Sequence, residues 1–211
     1  MYHYAGNNPI KYTDPDGRDV ISDDVSQNDE ILKDITLIAG DGFSFDESGN
    51  LQVDESVKPG EKYNKEIRAE LISLIKGKNE NVKVYIKYSL DFTDMCPDGD
   101  GNFVELTGCQ NLGKTAYGDP EGKTYRVCIP NQLYKNSNGE RASIFIHEFM
   151  GHLVPTIAGK TGGNAVRDTM PMIRSLGLSI PEFLKLAWSE PECEFHDGAL
   201  PGVKEQGWVK K

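Results

Sequence analysis

The chain has 211 residues, 37% of them hydrophobic and 27% charged, which fits one globular domain with an extension. With 33 acidic against 23 basic residues its net charge is -10, which argues against a general nucleic-acid binder, because such proteins present a basic face. No long apolar run and no charged-then-apolar N-terminal leader is present, so neither a membrane span nor a signal peptide is expected.

Residues 2–19 are dense in turn formers, with Gly6-Asn7-Asn8-Pro9 followed by Asp14-Pro15-Asp16-Gly17. Residues 19–30 are acidic and polar and read as a linker. Residues 31–39 are an apolar segment that the sequence assigns to neither helix nor strand. Phe43-Ser44-Phe45 and Leu51-Gln52-Val53 alternate around the turn residues 46–50 and predict a hairpin. Residues 61–76 predict a helix, with Tyr63, Ile67, Leu71, Leu74 and Ile75 on one stripe between Pro59-Gly60 and Gly77. Residues 82–88 alternate cleanly and predict a strand. Residues 102–107 are a second candidate strand. Residues 124–129 are a third, after a turn at 118–122 and closed by Pro130.

Within the loop 94–105, Asp98, Asp100 and Asn102 have the first spacing of a calcium loop. Phe103 stands where the invariant glycine belongs and Cys109 where the bidentate glutamate belongs, so an EF-hand is excluded. Cys96, Cys109, Cys128 and Cys193 have no C-x-x-C spacing, which argues against a thiolate zinc site. Their even number permits two disulfides, one of which could staple Cys96 to Cys109; free thiols are the alternative.

A loop at 136–139 leads into a further helix that carries His147-Glu148-Phe149-Met150-Gly151-His152. The run Ala142-Ser143-Ile144-Phe145-Ile146 before it and Leu153-Val154 after it bury this helix on most of its circumference. Three polar side chains at such depth require a purpose, because burying polar groups without partners is costly. In the zinc-protease pattern H-E-x-x-H, two His at i and i+4 share one face and the Glu serves as general base. Here the second His is at i+5. At about 100° per residue it falls roughly 140° around an ideal helix. A π-bulge of one residue would realign the two imidazoles, and Gly151 is the residue expected to yield. Two more helices are expected near 163–175 and 181–188. The element order predicts an α+β domain: a small antiparallel or mixed sheet packed on a zincin-like active-site helix and the helices after it.

The motif is similar to the HExxGH motif of the dipeptidyl peptidase III family of zinc peptidases, although this chain is far shorter than that family. It also resembles the HExxGH helix of metallopeptidase-like domains attached to bacterial RHS-repeat proteins. The N-terminal stretch Tyr2–Gly17 resembles the last repeat of an RHS core, with its Y-x-Y-x-x-N-N-P-x-x-x-x-D-P-x-G signature. These resemblances imply an RHS remnant over 1–18, the linker over 19–30 and a zinc metallopeptidase domain over 31–211. They imply a C-terminal effector of polymorphic-toxin type, exported as part of a larger bacterial protein. Its partners would be a protein or peptide substrate and a cognate immunity protein.

The same reading gives Zn2+ as cofactor, with His147 and His152 as ligands and Glu148 as general base. A third protein ligand is required. Glu190-Pro191-Glu192-Cys193-Glu194-Phe195-His196 offers several candidates. Glu192-Cys193 resembles part of the downstream glutamate stretch of dipeptidyl peptidase III, which favours Glu192. Pro191 departs from that pattern. Asp168, Glu190, Glu194 and His196 stay open as alternatives. Two other functions fit the same residues: a non-catalytic interaction or adhesion module, and a zinc hydrolase for a non-peptide substrate.

Overall fold

The computed structural model describes residues 19–77, 82–89, 95–97, 103–105, 114–119, 124–130, 139–160, 165–181 and 185. They form an α+β fold around a four-stranded mixed sheet. In chain order the sheet's strands are β1 (Asp19–Ser22), β4 (Lys83–Ser89), β7 (Lys114–Asp119) and β8 (Thr124–Pro130). Their spatial order is β1-β4-β8-β7, with β1, β4 and β8 parallel and β7 antiparallel to β8. Two small hairpins stand outside the sheet: β2 (Phe43–Phe45) with β3 (Leu51–Val53), and β5 (Met95–Pro97) with β6 (Phe103–Glu105).

The alternation in β4 sets the two faces of the sheet. Val84, Ile86 and Tyr88 are buried while Lys83 is exposed. Val20 on β1 and Tyr125, Val127 and Ile129 on β8 share the buried face. Against it lie α1 (Asn28–Ala39) and α2 (Lys65–Ile75), whose Ile31, Ile35, Ile38, Ile67 and Leu71 enter the same apolar cluster. In α1 these residues recur at i, i+4 and i+7, the spacing of one helix face, so residues 31–39 are helical. Helix α2 starts at Lys65, later than expected from 61. Asn64 caps it, its side-chain oxygen accepting from Glu66 N at 3.0 Å and Ile67 N at 3.1 Å.

The expected linker 19–30 is folded. Residues 19–22 are β1, residues 25–27 form a 3-10 turn capped by Asp24, and α1 begins at Asn28. Acidic composition alone suggested a linker, but Val20 and Ser22 point into the core and the alternation over four residues was too short to read. Past Ser22, the side-chain amide of Gln27 continues the ladder along β4: Tyr88 N donates to Gln27 Oε1 at 2.8 Å and Gln27 Nε2 donates to Tyr88 O. Strand β7 was also unexpected, because Gly118-Asp119 read as a turn. The pairing shifts register between Tyr117 and Asp119, and the glycine sits at that irregularity. Asp98, Asp100 and Asn102, whose spacing prompted the comparison with a calcium loop, lie outside the described residues. The helix expected over 181–188 is mostly outside them too, although Lys185 N donates to Pro181 O at 3.1 Å.

One polar cluster interrupts the core. Asp34 of α1 accepts from Tyr88 OH at 2.7 Å and from Arg141 Nε at 2.5 Å. Arg141 Nη1 reaches Glu30 at 3.3 Å, and its guanidinium lies 4.8 Å from the Tyr88 ring centroid. Burial pushes the Tyr88 hydroxyl well above its ordinary pKa, and the Asp34 charge adds to the shift. Burial disfavours the Arg141 cation, but the hydrogen bond and charge of Asp34 outweigh that and raise its pKa. Arg141 stands on helix α3 (Glu140–Ile146), so the cluster ties α1, β4 and α3 together.

Two outcomes are expected. A chain beginning at Asp19 should unfold cooperatively in urea, whereas one beginning at Ile31, without β1, should not. Asp34→Ala should lower stability by about 3–5 kcal/mol in the same titration, because it strips a buried cation of its main acceptor.

Candidate metal centre

Helix α3 does not end at Ile146. It continues as a π-helical segment, His147–Leu153, and then as the short α4 (Val154–Ile157). Every residue from Arg141 to Leu153 is buried. Phe145 stacks on Phe149 with centroids 5.6 Å apart. Ser143 Oγ donates to Ser179 O at 2.7 Å, which ties the helix to the segment after α5 (Ala165–Leu176).

The π register solves the spacing problem of the motif. Val154 N–H bonds to Phe149 O, five residues back, where an α-helix would use Met150 O. With i→i+5 bonds, residues five apart come onto one face. The rings of His147 and His152 stand 4.9 Å apart at 90° to each other. One ligand atom each from His147, Glu148 and His152 lies within 4.8 Å of the others. The three residues are only 1%, 5% and 8% exposed. Two imidazole nitrogens and a carboxylate oxygen, converging at depth, form a donor set that could hold a metal ion. Among the described residues no other group of three His, Cys, Asp or Glu side chains has this property.

Gly151 lies within the π segment and has a packing role besides its backbone freedom. A Cβ there would stand 2.8 Å from the Ala165 Cβ, 3.2 Å from the Ala165 Cα and 3.2 Å from the Thr169 Cγ2. The glycine therefore lets α5 approach the π segment at a distance that no side chain allows. Thr169 turns its hydroxyl to its own helix, donating to Ala165 O at 2.5 Å.

Of the sequence-derived ligands, His147 and His152 come together and Glu148 joins them. Asp168 does not. It lies in the first turn of α5 on the exposed side, while Ala165 and Thr169 face the π segment. Glu192, with Glu190, Glu194 and His196, lies outside the described residues. The sequence reading passed over Pro155 and Thr156. Pro155 stands in the first turn of α4, and Thr156 Oγ1 donates to His152 O at 2.7 Å.

Gly151→Ala should force the two helices apart and cost about 1–3 kcal/mol of stability. Ala165→Gly in the same chain should restore most of that loss. A thermal melt of the single and double variants checks it, and additive losses would show that the contact is unimportant.

Comparison with protein-family models, with curated proteins and with solved structures finds no match to this chain.

Proposed function

We propose that this chain is a zinc-dependent peptidase, the effector module of an RHS-type protein. The observation that carries the reading is the buried convergence of His147, Glu148 and His152 made possible by the π segment. Two imidazoles with one further carboxylate as third ligand form a set that suits zinc among the available divalent ions. His147 and His152 hold the ion, and Glu192 is the favoured third protein ligand. Zinc, when bound, supplies Lewis acidity, which polarises a carbonyl and makes water acidic near neutral pH.

Glu148 is the proton acceptor. It follows the first ligand directly and its carboxylate belongs to the same cluster, so it can receive a proton at the position where the metal would act. It then returns that proton to the leaving amine of a peptide. The burial of all three side chains keeps competing water low and strengthens the electrostatics between them. The protein or peptide substrate, a cognate immunity protein and export within a larger bacterial polypeptide follow from the resemblance of residues 2–17 to the end of an RHS core.

Purified without a tag, the protein should carry close to one zinc per chain by elemental analysis, and His147→Ala or His152→Ala should abolish it. Glu148→Gln should keep the zinc and lose peptide hydrolysis by on the order of 10²–10⁴. Toxicity or partner binding that survives both Glu148→Gln and chelation would replace this reading with that of a non-catalytic interaction module, and hydrolysis that survives them would reject Glu148 and the metal as its agents.

A further inference from the structure

A helix that carries two ligands five residues apart needs something to hold it out of the α register. The π form is the less common one, and an α-helix over the same residues would regain regular hydrogen bonds. Glycine at 151 permits the π form but does not demand it, because glycine tolerates both. Immediately beyond the π segment, however, the chain places Pro155. In an α-helix residue 155 would donate to Gly151 O. Proline has no N–H to donate, and its ring collides with the carbonyl four residues back. The last π bond, from Val154 N to Phe149 O, directly precedes it. One residue further on, the Thr156 hydroxyl donates to His152 O at 2.7 Å, supplying a side-chain donor to the carbonyl of a ligand residue. Regular bonding resumes downstream, where Ala158 N donates to Val154 O at 3.0 Å.

We infer that Pro155, assisted by Thr156, is a positioning residue of the metal centre: it denies the helix its α register and so keeps His147 and His152 on one face. This rests on the metal-binding reading of the previous section. The role carries an unusual signature. Proline inside a helix is disfavoured by about 3 kcal/mol relative to alanine. Its replacement should therefore leave the fold as stable or more stable while damaging the site. A residue with only a structural role would lose both together.

The test uses cobalt(II), added to the full chain stripped of metal, as a spectroscopic probe read by visible absorption, together with a thermal melt. The unaltered chain must first bind cobalt and lose it on His147→Ala; failure at that step rejects the metal site itself and not the role of Pro155. Pro155→Ala should then melt at the same temperature or higher, and its cobalt affinity should fall by on the order of 10- to 100-fold, as for residues that orient ligands from behind. The decisive arm is repair. Deleting Met150 from the Pro155→Ala chain shortens the motif to H-E-x-x-H, in which an ordinary α-helix aligns both imidazoles and keeps the phase of the flanking turns. That double variant should recover cobalt affinity and a tetrahedral absorption band. Unchanged affinity in Pro155→Ala, a loss that the Met150 deletion fails to repair, or a Pro155→Ala chain that does not fold would each overturn the inference.

Discussion

The hydrogen-bond register between residues 147 and 154 is the constraint on which the candidate site depends. If each N–H reached back four residues, His147 and His152 would diverge by roughly 140° and no ion could join them. Reaching back five, as Val154 does to Phe149, brings them to a ring separation of 4.9 Å. The rest of the molecule is arranged around this segment. The sheet supplies an apolar floor, α5 presses against Gly151, and the cluster of Arg141, Asp34 and Tyr88 fixes the incoming turn of α3.

That polar cluster is unusual for its depth. Replacing a buried ion pair with apolar residues is often neutral or stabilising, so its presence is weak evidence of a contribution to stability. It does select a single arrangement. Asp34 has acceptor geometry for one guanidinium and one hydroxyl, and only one rotation of α3 about its axis offers Arg141 to both Asp34 and the Tyr88 ring. The rotation of α3 is inherited by the π segment that continues it, and with it the direction in which Glu148 points.

How much of this was legible in the sequence varies with the range of the interaction. The strand at 83–89 and the hairpin around Asp46 were readable because alternation and turn residues act locally. The π segment was readable for a different reason: two ligand-type residues at i+5 present a geometric contradiction that only a wider turn removes. Strand β1 was missed because four residues of alternation hardly exceed chance, and its pairing with β4 lies some sixty residues away in sequence. Asp34 drew no notice within an apolar segment, since its partner Arg141 follows 107 residues later. Gly151 was recognised for its backbone freedom, while its packing role went unseen, because the closeness of Ala165 is a tertiary fact.

The bond from Ser143 to Ser179 has a consequence for the reach of the chain. It fixes the segment after α5 beside the first turns of α3, four residues before His147. Along a helix that interval is only about 6 Å. Glu192 follows Ser179 by thirteen residues, and an extended chain covers at most about 3.3–3.6 Å per residue. Thirteen residues therefore set an upper bound of roughly 45 Å on the separation of residue 192 from Ser179. Because the cost of closing a loop grows only slowly with its length, an anchor at Ser179 limits the freedom of the chain after it far more than its residue count suggests.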